Sequence, residues 1–302
     1  MAYHEPVLLA RSVELLAIRP EGVYADLTLG GGGHTRAILQ QLGERGRLLC
    51  FDRDADAFTN LPHDPRVTPV HANYAHLWRW LRYLGVNHLD GVLMDLGVSS
   101  HHFDEQARGF SYRLEAPLDM RMNQQGTYTA AEILASYPEE RLAELFWRYG
   151  ELRAATKLAH TIVLERESRP IATTSELVNV AQKALGKAGS SPKLLGCIFQ
   201  ALRIEVNQEL VSLQRLLQQL PSCLAPQGRV VVLAYHSLED HLVKNFLRAG
   251  NFDGRLERDV YGNTQPPFRL ISKGTERAGE EEQEENSRAH SVRLRVAERT
   301  DC

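Results

Sequence analysis

Four short apolar runs separated by helix-patterned segments, followed by an abrupt end to that alternation, limit what this chain can fold into. Residues 22–29, 47–51, 67–71 and 90–95 are rich in Val, Leu and Ile and read as buried strands. Between them, residues 34–42, 54–60 and 74–84 read as helices, the last through its stripe of Leu77, Trp80, Leu81 and Leu84. Such alternation implies a parallel sheet covered on both faces. After residue 104 the pattern changes. Residues 105–127 are loop-like and rich in Arg, Met, Pro and Gly, and from 130 to about 220 nearly everything is helix-patterned. Sheet character returns over 228–235, after the turn Ala-Pro-Gln-Gly. A helix over 238–248 and two strands over 268–272 and 291–297 complete the chain, and the acidic run 280–285 reads as a solvated loop.

The first 104 residues supply only four strands, too few for a complete domain beside a second one. The economical reading is one α/β, doubly wound sheet interrupted by a helical insertion. Its core is discontinuous, 1–104 and 205–302, and the inserted all-helical unit spans 105–204.

Composition narrows the class. Of 302 residues, 43% are hydrophobic and 24% charged, which favours a packed core over disorder. The formal net charge of −3 carries no global nucleic-acid signature, so an anionic partner would need a local patch. Residues 105–204 carry 13 Lys and Arg against 11 Asp and Glu, a weak bias toward the insertion as that place. Cys50, Cys197, Cys223 and Cys302 lack metal-ligand spacing and read as thiols of a reducing compartment, with no metal site. No run reaches the ~18 apolar residues of a membrane span, and the N-terminus lacks a leader pattern. The expectation is a cytoplasmic protein without membrane association.

The first strand ends in Asp26-Leu-Thr-Leu-Gly-Gly-Gly-Gly-His34. Glycines there let the backbone turn sharply and approach a ligand beyond the carboxyl ends of the strands. The register G-x-G-x-x-G of a dinucleotide site fails at His34-Thr35-Arg36, and no Gly-Lys-Ser/Thr follows for a phosphate loop. Asp52, 22 residues after Gly30, ends the second strand where a carboxylate can accept both ribose hydroxyls of an adenosyl group. Asp95 ends the fourth strand in Leu93-Met-Asp-Leu-Gly-Val-Ser-Ser100 and faces the same crevice. Together they point to S-adenosyl-L-methionine, with Gly30, Gly32, Gly33, His34, Asp52, Tyr74 and Asp95 as candidate contacts. Asp26 either holds the cofactor's ammonium or fixes the loop backbone, His34 either meets the cofactor carboxylate or caps a helix, and Tyr74 either stacks on adenine or packs as core.

Methyl transfer is an in-line displacement at a sulfonium, in which positioning is worth up to about 7–11 kcal/mol. A nucleobase amine must be held by acceptors and must lose a proton, tasks for which Asp95, Ser99, Asn207 and His236 are the candidates. The segment 101–123 interleaves Phe103, Phe110 and Tyr112 with Arg108, Arg113 and Arg121. That pattern is either a clamp for base and phosphate or a lid held together by its own aromatics. Arg203 and Asn207 are i,i+4 neighbours that would reach the crevice from one helix face.

These residues resemble the bacterial 16S ribosomal RNA cytosine-N4 methyltransferase family, also called RsmH or MraW. The likeness runs in order through His4-Glu-Pro-Val-Leu-Leu, the glycine segment, Asp52-Arg-Asp-Ala-Asp-Ala57, Asp90-Gly-Val-Leu-Met-Asp-Leu-Gly-Val-Ser-Ser100 and Arg108-Gly-Phe-Ser-Tyr. It continues through Pro117-Leu-Asp-Met-Arg-Met-Asn123, Phe199-Gln-Ala-Leu-Arg-Ile-Glu-Val-Asn207 and His236-Ser-Leu-Glu-Asp240. The resemblance implies a class I methyltransferase (Rossmann-like) core and an inserted RNA-recognition domain. It also implies methylation of N4 of a cytidine in the decoding region of 16S ribosomal RNA, met within the small ribosomal subunit. It adds His102 to the cofactor contacts, while the basic-aromatic pattern and the helix face leave Arg108, Phe110, Arg121 and Arg203 as the candidate substrate contacts. The chain departs from the family at His102, where Gln is usual, at 191–197, and at His241 and His290, where Arg is usual. Two other readings keep the fold: a methyltransferase for another nucleic-acid or small-molecule amine, and a non-catalytic scaffold. The oligomeric state, monomer or homodimer, stays open.

Overall fold

In the computed structural model, which describes residues 6–97, 108–126, 128–272 and 274–301, the four apolar runs become β1 (Val23–Asp26), β2 (Arg47–Asp52), β3 (Val67–His71) and β4 (Leu89–Asp95). They are joined by β5 (Leu224–Ala234), β6 (Phe268–Leu270) and β7 (Arg293–Arg299) in one sheet of order β3-β2-β1-β4-β5-β7-β6. The first five strands are parallel, and β7 runs antiparallel to both β5 and β6. The order reverses between β1 and β4, the doubly wound arrangement expected from the alternation.

Period-two side-chain alternation explains why these runs are continuous in apolarity. Leu49 and Phe51 of β2, Val92 and Met94 of β4, and Val230 and Val232 of β5 share one face. Leu48, Cys50, Leu93, Val231 and Leu233 occupy the other. Helices α1 (Leu9–Leu16) and α2 (Gly33–Gln41) cover the second face through Val13, Leu16 and Ile38. The first face is covered by α3 (Leu77–Tyr83) and by two helices named below, through Leu77, Leu81, Leu213, Leu217, Val243 and Phe246. Both faces are covered over the centres of β2, β4 and β5, so those runs are apolar throughout rather than alternating.

The chain divides into two compact units: Met1–Gly97 with Leu210–Cys302, and Val98–Glu209. The second unit holds α4 (Ala130–Ser136), α5 (Glu139–Gly150), α6 (Ala155–Ser168), α7 (Thr174–Leu185) and α8 (Pro192–Asn207) around its own apolar core. Local chemistry starts these helices. Thr129 with Glu132 and Thr173 with Glu176 form capping boxes, and Pro192 sits at the first turn of α8. Leu177, Val180, Ala181 and Ala184 give α7 its buried stripe at i, i+3, i+4 and i+7. The chain then returns through α9 (Glu209–Cys223) to β5 and α10 (Ser237–Ala249).

Three local expectations change. The strand expected from 228 begins at Leu224, its pairing with β4 shifting register between Leu89 and Gly91 as Gln227 takes a φ of 63°. Residues 55–60 form a 3-10 helix rather than an α-helix. The acidic run is a short helix, α11 (Glu280–Glu285), whose three N-terminal glutamates suit the positive end of the helix dipole. No helix among the described residues is long and apolar enough to cross a membrane.

Leu93 is fully buried in the central strand β4. Leu93→Ala is therefore expected to cost about 2–5 kcal/mol through lost transfer energy and an unfilled cavity. Denaturant unfolding followed by circular dichroism would read the loss.

Candidate active site

The candidate cofactor groups of the sheet unit lie at the carboxyl ends of β1, β2, β3 and β4. The backbone of β1 continues its pairing past Asp26, with Leu27 N donating to Leu93 O at 2.9 Å. Asp26 is fully buried, and both oxygens are turned onto the loop it precedes. Its Oδ1 accepts from Thr28 N at 3.1 Å and its Oδ2 from the Thr35 hydroxyl at 2.7 Å. Burial pushes this carboxyl above its ordinary value, with His34 and the two donors opposing the shift. Asp26 thus ties strand, loop and α2 together.

The glycine loop is shaped before any ligand arrives. Gly30 and Gly32 have φ of 47° and 71°, left-handed values that other residues adopt at a cost. A side chain at Gly32 would meet Asn60 O at 2.8 Å, and one at Gly33 would meet Pro6 Cγ at 2.2 Å. Asn60 Nδ2 donates to Gly30 O at 3.1 Å, and Arg36 Nη2 donates to Gly31 O at 2.7 Å. Asp52 joins this loop to β2, accepting from Gly30 N and from Asp54 N at 2.9 Å each. His34, in the first turn of α2, is 4% exposed and its Nε2 has no hydrogen-bond partner among the described residues. A buried imidazole nitrogen aimed beside a glycine turn suits a polar ligand group there. Tyr74 opens a 3-10 turn after β3, with the Arg53 guanidinium 5.8 Å from its ring centroid.

Asp95 is positioned from both sides. Its backbone N donates to the Thr28 hydroxyl at 2.7 Å, and its Oδ1 accepts from the Tyr235 hydroxyl at 2.6 Å. Tyr235 follows β5, and the Arg288 guanidinium lies 4.8 Å from its ring centroid. Burial, reinforced by the Asp95 carboxylate, raises the phenol well above its ordinary value. Tyr235 therefore stays protonated at neutral pH and acts as a fixed donor to Asp95. Sequence reasoning missed Tyr235: a lone aromatic after Val-Val-Val-Leu-Ala looks like core, although its place at the carboxyl end of a parallel strand was a usable signal.

His236 caps α10, its Nδ1 accepting from Glu239 N at 3.4 Å, while Nε2 stands 3.2 Å from Glu239 Oε1. Glu239 Oε2 accepts from Tyr235 N at 3.1 Å, so the glutamate holds the strand end as well. Asp240 pairs with Arg293 at 3.0 Å and Arg295 at 2.6 Å on β7. The segment 236–240 thus orients the tyrosine and closes the sheet behind it.

The family model described as the MraW methylase family matches residues 1–300. The chain belongs to the MraW methylase family. The ribosomal RNA small subunit methyltransferase H of Parabacteroides distasonis is 49% identical over 298 residues, covering 98% of this chain and 97% of its own. The protein of the same description from Bacteroides thetaiotaomicron is 48% identical over 299 residues, covering 99% and 98%. A solved structure titled as a putative rRNA-methylase from Clostridium thermocellum covers 98% of this chain and 99% of its own, at 13% identity and TM-score 0.43.

Within the inserted unit, the candidate substrate residues make intramolecular contacts. Arg108 is 5% exposed and donates through Nη2 to Arg121 O at 2.6 Å and Met122 O at 2.8 Å. Phe110 is buried in the unit's core. Arg121 meets Asp119 through Nε and Nη2 at 2.8 and 2.7 Å and donates to Gly126 O at 2.9 Å. Arg203 forms a two-point pair with Glu209, both contacts at 2.9 Å. The Asn207 amide is used three times, accepting from Met122 N and donating to Met120 O and Arg203 O. Arg108, Arg121 and Asn207 thus brace 108–126, Phe110 packs in the unit's core, and Arg203 holds Glu209. Ser99 and His102, with Phe103 of the expected lid, lie outside the described residues.

The Asp240 pairs carry a pH dependence. Burial raises this carboxyl, but Arg295 and then Arg293 more than offset it, leaving it below its ordinary value. A depressed carboxylate contributes stability above its unfolded value, near 3.9, that is lost as pH falls through the folded one. Asp240→Asn should be less stable than the parent at pH 7, with the gap closing below about pH 4. Denaturant unfolding across that range would measure it.

Proposed function

We propose that this chain transfers a methyl group from S-adenosyl-L-methionine to N4 of a cytidine in the decoding region of 16S ribosomal RNA. The observation that carries this reading is the Asp95 carboxylate, fixed by Tyr235 and Thr28 beside a preformed glycine loop. When bound, S-adenosyl-L-methionine supplies an electrophilic methyl group on a sulfonium.

The chain's own residues bind and orient. Asp52, which accepts from two backbone amides at the loop, is the carboxylate that would meet the ribose hydroxyls. Gly30, Gly32, Gly33 and His34 Nε2 would hold the methionine portion. Tyr74 provides an aromatic face for adenine. Asp95 Oδ1 is taken by the Tyr235 hydroxyl, and Oδ2 accepts an N–H of the cytosine amine. That contact draws the amine out of conjugation and directs its lone pair to the methyl. Because Tyr235 remains protonated, it orients rather than removes a proton, and the amine's proton leaves by Asp95 or water. His236 acts through Glu239 on the Tyr235 backbone.

We assign the inserted unit to RNA recognition, supported by its slight excess of Lys and Arg. Arg108, Phe110, Arg121 and Arg203 support the shape of that surface. The substrate is taken as small ribosomal subunit RNA in the cytoplasm, the relatives being described as small subunit methyltransferases.

Methyl transfer from isotope-labelled donor to small-subunit RNA tests the assignment. Asp95→Ala should abolish transfer while folding survives. Tyr235→Phe, which removes one hydrogen bond to a charged group worth about 1.5–3 kcal/mol, should lower kcat about 10- to 100-fold with donor affinity little changed. Undiminished transfer by Asp95→Ala would refute the site.

A further inference from the structure

The cofactor unit carries a second surface apart from the donor site. Helix α3 buries Leu77 and Leu81 and turns Trp78, Arg79, Arg82 and Tyr83 to solvent. Trp78 is 44% and Tyr83 79% exposed. The Arg82 guanidinium lies over the Trp78 ring at 4.9 Å, and Tyr83 meets Trp80 edge-on at 5.6 Å. Helix α9 packs alongside, where Gln219 accepts from Trp78 N at 3.0 Å and donates to Ala75 O at 2.9 Å. One turn earlier on α9, Arg215 is exposed.

The charge pattern here is unusual for this chain. Its carboxylates outnumber Lys and Arg, 38 to 35, yet residues 65–89 and 210–238 contain none. Several arginines outside these stretches are held by carboxylates, as at Arg11–Glu276, Arg121–Asp119 and Arg203–Glu209. Arg82 instead lies on an indole, and His76 and His88 extend the same exposed, carboxylate-free stretch.

We propose that the outer face of α3, with Arg215 of α9, is a docking surface for the substrate RNA outside the target nucleotide. The proposal rests on the reading of the chain as an RNA methyltransferase. Unpaired arginines attract phosphates, and exposed aromatic faces stack on bases of any sequence. A symmetric second copy is a poor occupant, because a twofold contact would place these arginines against their own equivalents. The surface begins directly after Tyr74 in the chain, so RNA held there lies on the unit that carries the methyl donor.

The test uses full-length protein and small ribosomal subunits from cells lacking this gene. Arg79→Glu/Arg82→Glu should raise the subunit KM at least 10-fold, with kcat and donor Kd within about twofold of the parent. The slope of log affinity against log salt should become shallower by about 1.5 to 2, the loss of two phosphate contacts. Arg79→Lys/Arg82→Lys should retain most affinity, and Trp78→Ala/Tyr83→Ala should weaken binding without changing the slope. Arg45→Glu, an exposed site paired with Glu21, controls for overall charge and should change KM less than twofold. If the reversal disturbs folding, Arg79→Gln/Arg82→Gln gives the same reading with a smaller effect. A parental KM and slope in the charge-reversed protein, or an equal loss in Arg45→Glu, overturns the proposal. A parent that transfers no methyl to subunits overturns the RNA reading itself, a distinct result.

Discussion

The seam between β1 and β4 is the constraint on which the site depends. Strand order reverses there, so the connections leaving the two strands diverge and open the carboxyl edge of the sheet. Leu27 N to Leu93 O and Asp95 N to the Thr28 hydroxyl hold that edge in register. Asp26, buried between them, is costly to ionise and is kept in place by Thr28 and Thr35. A carboxylate in this position makes the glycine loop a fixed object. Once β1 and β4 are set, Asp52 on one side and Asp95 on the other can only face the same crevice.

The fold was largely legible because its signals are local. Apolar runs of strand length and the loss of strand pattern after residue 104 each follow from period. The start of β5 was less legible, since a register shift at Leu89 is set by the neighbouring strand and by the backbone of Gln227. The acidic run read as loop by charge alone, whereas its glutamates cluster at a helix start and Glu282 also accepts from Leu8 N.

The site was legible where it lies on strand ends and illegible where it depends on distant pairs. Asp52 and Asp95 follow from their places at β2 and β4. Tyr235 reaches Asp95 across 140 residues of sequence, a contact no spacing reports. Arg108 and Arg121 show the limit of a basic-aromatic pattern. The same residue types that would clamp RNA also brace a loop, and here Asp119 and the carbonyls of 121, 122 and 126 engage both arginines. Trp78, Arg79, Arg82 and Tyr83 show the converse. Read as a helix with an apolar stripe, that segment did not show which of its side chains the fold leaves exposed.

The account centres on which atom of RNA receives the methyl group. Nucleoside mass spectrometry of 16S RNA, from cells with and without this gene, reads that atom directly. The account predicts that a methyl group on cytidine N4 disappears without the gene and returns when the protein and S-adenosyl-L-methionine are supplied. Unchanged N4-methylated cytidine in cells lacking the gene would contradict it.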